Sequence, residues 1–296
     1  MPFSRPNLHV ARSGSRRIKS GLFACLFPFL VGCTTVPLEQ ANTLGSYEGL
    51  SSGDGLTRKA KFQVQAEGLL LVKTVYIEPT IVSQVAMQNT QKSSDRALVT
   101  TAIDRALCVG VSDRFTVVDS RESADLAIHA TITRIVPTNA SIAGLSTAIS
   151  LGSSAVIPGG VPRLPMGLGG LSVEAEATAR DGRQLAAMVW ARGANSLTTN
   201  ARVSPVGDAY SLGDSFGNAF SKMLTTGKTP FKGFPKLPSS QRLRSDFGGK
   251  PKYQACERFG RAPGIGGLVA GKLGLPPSWT DHGAPETRKL EPTATN

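Results

Sequence analysis

The chain has 296 residues, with 33 Lys and Arg against 21 Asp and Glu, for a formal net charge of +12. That length holds one sizeable domain or two small ones. With three histidines and four cysteines in all, neither a disulfide framework nor a His- and Cys-rich metal centre has the residues it needs.

The N-terminal end is the most specific part. Arg5, Arg12, Arg16, Arg17 and Lys19 occur with no acid, and an apolar run from Gly21 to Val31 follows, interrupted by Cys25. A basic segment ahead of about 11 apolar residues is the pattern of a signal peptide, and it falls short of the roughly 20 residues that a spanning helix needs. The run closes on Leu30-Val31-Gly32-Cys33, which resembles the bacterial lipobox: a branched apolar residue, two small residues and the cysteine that receives acyl chains. Residues 1–32 are therefore expected to be removed and Cys33 to be the lipid anchor. Among such lipoproteins an Asp after the cysteine favours retention in the inner membrane; here Thr34 follows, so the expected location is the outer membrane, on its periplasmic side. Acyl chains at roughly 0.8 kcal/mol per methylene anchor the protein without a transmembrane helix.

Residues 33–59 include Gly45, Gly49, Gly53 and Gly55 and read as a flexible tether, with the domain spanning residues 60–227. Leu69 to Pro79 reads as a strand ending at proline. Ser93 and Ser94 can cap a helix running to Arg114, with Val99, Ala102, Ile103, Ala106, Leu107 and Gly110 on one stripe. A short strand follows at 115–118. From Asp125 to Val136, Leu126, Ile128, Ala130 and Ile132 alternate with His129, Thr131 and Thr133, as in a half-buried strand.

Residues 138–162 carry no charge and read as a surface loop folded over the sheet. Gly144, Ala148 and Gly152 offer a small-residue spacing that allows close helix approach and would instead suit a membrane-touching or oligomer-forming loop. Leu171 to Arg192 is a hairpin turning at Asp181-Gly182. Asp208 to Thr226 is an amphipathic helix with Gly227 as its stop.

From Lys228 on, Gly and Pro make up 19 of 69 residues, with 12 basic and 5 acidic side chains. Residues 228–296 thus read as a basic, low-complexity extension. In an exported protein its partners would be anionic lipid, lipopolysaccharide or another envelope polymer; export removes nucleic acid.

Candidate chemistry is sparse. Glu174 and Glu176 share one strand face about 7 Å apart, a separation open to glycoside hydrolysis, yet the pattern is better read as the wet face of an amphipathic strand. Gly266 to Lys272 reads G-x-x-x-x-G-K, but Leu273 stands where a phosphate-binding loop needs Ser or Thr, and no strand precedes it. His129 and His282 lie in no zinc spacing, and Asp125 is about 13 Å along the strand from His129. Cys108 sits within an apolar helical pattern where a buried free thiol is the favoured state, pairing with Cys256 being the alternative. No catalytic residue, metal ligand or cofactor is assigned.

Tyr76-Ile77-Glu78-Pro79, Ile135-Val136-Pro137-Thr138-Asn139, and Ser172-Val173-Glu174-Ala175-Glu176 leading to Asp181-Gly182 and Leu185-Ala186-Ala187 occur in this order behind the lipobox. In this they resemble a proteobacterial lipoprotein family classed as DUF3313, over roughly Pro37 to Thr226. The resemblance implies an envelope context and transfers no activity. The expected fold is one α+β domain, a mostly antiparallel sheet covered on one face by two helices. The expected role is non-enzymatic: an anchored assembly or accessory component with envelope protein partners or a second copy of itself.

Overall fold

The computed structural model describes Met1 and residues 36–154, 163–196, 199–232 and 237–283; Cys33 and the segment before it lie outside the described residues. β1 (Ser51–Ser52) and β2 (Arg58–Val64) are followed by α1 (Ala66–Leu70), β3 (Thr74–Ile77), β4 (Ile81–Val82) and α2 (Gln84–Asn89). Next come α3 (Ser93–Val111), β5 (Thr116–Val117), β6 (Leu126–Val136) and α4 (Ala140–Ser154). The hairpin β7 (Gly170–Ala179) and β8 (Gln184–Gly193) leads into α5 (Gly207–Thr226), and the C-terminal part holds α6 (Ser240–Asp246) and α7 (Gly264–Lys272).

The expected α+β domain is present. Eight strands form one sheet in the order β1-β2-β8-β7-β6-β3-β5, with β4 also beside β6. The long strands β2, β8, β7 and β6 pair antiparallel, whereas β3, β4 and β5 join in parallel. Gly182, at φ 84°, makes the hairpin turn that a residue with a Cβ adopts only under strain.

The alternation of β7 and β8 sends Val173, Ala175, Met188 and Trp190 into a core with Phe216 and Phe220 of α5 and Ile103 and Leu107 of α3. Helices α3 and α5 pack closely because small residues meet at their crossing: a Cβ at Gly217 would lie 2.6 Å from that of Ala106. Helix α5 ends, as its sequence predicts, on a left-handed Gly227.

Several expectations fail, and each for a tertiary reason. Residues 36–50 are not a flexible tether. They lie as a strap over the face of the sheet opposite α3 and α5, where Leu44 packs with Ala187 and Val189, and Val36 is 3% exposed. The strap turns the supposed wet face of the hairpin inward: Glu174 is fully buried and Glu176 nearly so. The strand expected from Leu69 starts only at Thr74, because Ala66–Leu70 forms a helical turn. Residues 140–154 form helix α4 rather than a loop, begun by the Asn139 side chain accepting from Ile142 N at 3.1 Å.

The C-terminal extension is also built into the domain as far as it is described. Cys108 and Cys256 form a disulfide, not the favoured free thiol, and Ala255 and Phe259 join the main core. Composition misses this because a few anchoring residues among many Gly and Pro suffice to dock the segment.

Candidate functional site

The carboxylates singled out in the sequence are structural acceptors. Glu174 receives the backbone N–H of Ala41 at 3.1 Å and of Thr43 at 2.9 Å, with the Thr43 hydroxyl at 2.6 Å and the Tyr47 hydroxyl at 2.8 Å. Glu176 accepts from Gly45 N and from the Gln184 amide, both at 2.7 Å. Burial, followed by the hydrogen bond to Glu174, pushes the Tyr47 phenol up to about 12, so it stays a neutral donor. Apart from the Gln184 amide of β8, which also donates to Ser46 O at 3.2 Å, these donors belong to the strap, so both carboxylates are engaged in holding it down.

The polar chain continues along β6. The Thr43 hydroxyl, whose proton goes to Glu174, lies 2.9 Å from Thr131 Oγ1, Thr131 meets His129 Nε2 at 3.3 Å, and His129 Nδ1 lies 3.2 Å from Glu78. His129 therefore pairs with Glu78, which also binds Arg121 at 2.6 Å. Asp125 instead accepts from the backbone N–H of Lys73 and Thr74, which hold it below the usual carboxylate range. Gly266 to Lys272 lies within helix α7, not in a phosphate-binding loop. Among the described residues no cluster of three His, Cys, Asp or Glu could hold a metal ion, and no helix is long and apolar enough to cross a membrane.

A second polar region, which the sequence reading missed, lies on the helix side. There α3, α5, α6 and the segment entering α7 bound a cavity of about 310 Å³. Tyr210, Asp214 and Asn218, spaced four apart on α5, present one stripe to it. Arg105 of α3 is satisfied at its edge: it donates to Asp281 at 2.7 Å and to the Tyr210 hydroxyl at 3.2 Å, and Tyr210 donates to Asp281 at 2.6 Å. For Asp281 burial works upward, but Arg105 and the two hydrogen bonds outweigh it and hold the carboxyl below its ordinary value.

The remaining groups are more open: Asp246 is exposed, and Asp214 and Arg202 are half-buried. Among the described residues, the side chains of Asp214, Asp246 and Arg202 make no hydrogen bond or ion pair with protein. Arg202 stands over the Tyr210 ring, at 5.4 Å, and beside Gly271 of α7; its charge acts on Asp214, and its Nε is buried without an acceptor. The Ser245 hydroxyl is likewise buried and unpartnered. Burial pushes Asp214 up to about 6, only partly offset by Arg105, and raises Asp246 too. The signal available in the sequence was the polar Tyr210, Asp214, Asn218 stripe beside the apolar face of α5. That α6 and α7 would roof it was not legible.

The family described as "Protein of unknown function (DUF3313)" matches residues 39–220, more than half of the chain. No curated protein sequence matches. Among solved structures, a PelC dodecamer from Paraburkholderia phytofirmans is similar at 9% identity and a TM-score of 0.33, covering 57% of this chain and 98% of that one. A DUF4136 family protein from Bacteroides thetaiotaomicron is similar at 12% identity and a TM-score of 0.30, covering 60% of this chain and 100% of that one.

Proposed function

The chain belongs to the DUF3313 family, and on that premise we propose that it is a non-enzymatic envelope lipoprotein, held to the outer membrane through acyl chains on Cys33 and serving as an assembly or accessory component. The observation that carries this reading is the run Leu30-Val31-Gly32-Cys33 behind a basic and apolar segment, followed three residues later by the buried Val36. Three residues of extended chain span about 10 Å, so an acylated Cys33 would keep the folded domain close against the lipid rather than lift it away. A non-enzymatic role is supported by the state of Glu174, both of whose oxygens accept from the strap, and of Glu176, whose Oε2 accepts from Gly45 N.

The test is the Cys33→Ser variant beside wild type, fractionated on a density gradient and followed by mass. Wild type is expected in the outer-membrane fraction with acyl mass, and the variant unprocessed or displaced. A wild type without acyl mass, recovered as soluble protein, would overturn the reading.

A second reading is favoured by the surface of the C-terminal part. Phe247, Ile265, Leu268 and Trp279 are exposed among the exposed Lys250, Lys252, Arg261 and Lys272. Apolar side chains set among cations suit an anionic lipid or lipopolysaccharide surface. Sedimentation with anionic but not zwitterionic vesicles, weakening as salt rises, is its signature.

A further inference from the structure

The cavity on the helix side is lined by charged groups of both signs, and among the described residues Asp214, Asp246 and Arg202 make no direct hydrogen bond or ion pair with one another. Arg105, Tyr210 and Asp281 satisfy one another and need no ligand. Asp214 and Arg202 are half-buried and Asp246 is exposed, open to a partner from outside, while Arg202 Nε and the hydroxyl of Ser245, a residue 5% exposed, are buried without a partner among the described residues. A buried polar atom left unpaired costs on the order of 1–3 kcal/mol and calls for an explanation.

The free groups define what would fit. Two carboxylates and a hydroxyl ask for ammonium donors, and one guanidinium asks for a carboxylate. An inorganic anion would meet Arg202 but be repelled by both acids, and a simple amine would leave Arg202 unanswered. The volume, about 310 Å³, admits about ten groups of water size at roughly 30 Å³ each, which is the lower end of small-molecule pockets.

We propose that this cavity is a binding site for a basic α-amino acid, free or at the end of a short peptide, with its ammonium groups toward Asp214, Asp246 and Ser245 and its carboxylate toward Arg202. The site stands independently of membrane anchoring, since its walls come from α3, α5, α6 and the segment leading into α7. The groups facing Asp214 are Arg105 from α3, Asp246 from α6, Asp281 from the C-terminal segment and Arg202 from the loop before α5. Asp214, pushed up to about 6, takes up a proton as pH falls below that value, and the raised Asp246 follows in the same direction. Binding of an ammonium is therefore expected to weaken in mild acid.

The experiment is calorimetric titration of the full chain, purified in detergent, with L-lysine. Saturable binding is expected at pH 7.5, weaker by about tenfold for norleucine, which lacks the side-chain ammonium, and for 1,5-diaminopentane, which lacks the carboxylate; each loss is that of one charge-assisted contact. Asp214→Asn and Arg202→Gln are each expected to weaken lysine by about tenfold, and Ser245→Ala by a few-fold. Thermal unfolding of Asp214→Asn serves as the control for folding, with its midpoint expected to hold or rise. Absence of lysine binding at millimolar concentration overturns the proposal. So does equal affinity in folded Asp214→Asn and Arg202→Gln, or saturable binding of calcium with none of lysine, which would make the acids a cation site.

Discussion

Two pairs of acids lie on opposite sides of one sheet and have opposite fates. Glu174 and Glu176, on the strap side, are buried, and their donors come from the strap that they fix in place, with the Gln184 amide of β8 added at Glu176. Asp214 and Asp246, on the helix side, line a cavity and have no protein donor. Burial already separates them, since Asp214 is half-buried and Asp246 exposed. The hydrogen bonds sharpen the difference: an acid that accepts several protein donors holds the fold, whereas one that accepts none is open to a donor from outside the chain.

The sharpest way to break this contrast is Glu174→Ala. It strands the N–H groups of Ala41 and Thr43 and two hydroxyls in a buried site, and is expected to cost about 3–5 kcal/mol in urea unfolding. Amide exchange at 41–45 should rise at the same time. Glu174→Gln, which keeps one oxygen acceptor, should lose clearly less; equal losses would mean that the strap does not depend on the carboxylate.

Removal of the Cys108–Cys256 disulfide acts on the other side. The bond closes a separation of 148 residues, and a Cys256→Ser variant is expected to lose about 2–5 kcal/mol. The strap amides should keep their protection while lysine binding falls, because the segment after Cys256 forms part of the cavity wall. Loss of protection on both sides together would show that the two regions do not behave separately.

A smaller effect comes from Asp104, which is buried and accepts from Thr80 N at 3.0 Å. Burial pushes its carboxyl up to about 7, against the pull of the Thr80 hydrogen bonds and of Arg258. Because the folded value exceeds the unfolded one, the neutral carboxyl favours the fold fully below the unfolded pKa, and this contribution is lost as pH rises through about 7. Stability should fall on the order of 1 kcal/mol between pH 6 and 8, and Asp104→Asn should flatten the curve. A profile unchanged in that variant would assign the slope to Asp214 and Asp246, whose shifts have the same sign.

The smallest effect is the most diagnostic. Asp214→Asn removes an acid whose burial outweighs the attraction of Arg105 and Arg202 and is expected to shift stability by less than about 1 kcal/mol, in the stabilising direction. A large loss would place Asp214 with Glu174 as a structural group and erase the distinction.

The sequence by itself determined the local elements. The stripe Val99, Ala102, Ile103, Ala106 and Leu107 makes α3, the alternation from Leu126 to Ile132 makes β6, and Asp181-Gly182 turns the hairpin. These follow from periodicity and turn chemistry, which act over a few residues. It also carried the family, in segments within the part that forms the sheet and its two long helices. Only the tertiary structure decided which faces are wet. An alternating strand looks the same whether its polar side meets water or the backbone N–H groups of a strap some 130 residues away, as Glu174 and Thr43 do. In the same way, Tyr210, Asp214 and Asn218 form a surface stripe in sequence and become a cavity wall once α6 and the segment entering α7 dock beside them. The anchors of that docking, Cys256, Phe259 and Asp281, are few and widely spaced among glycines and prolines. Composition averages over such a segment, whereas folding depends on the handful of side chains that find a partner.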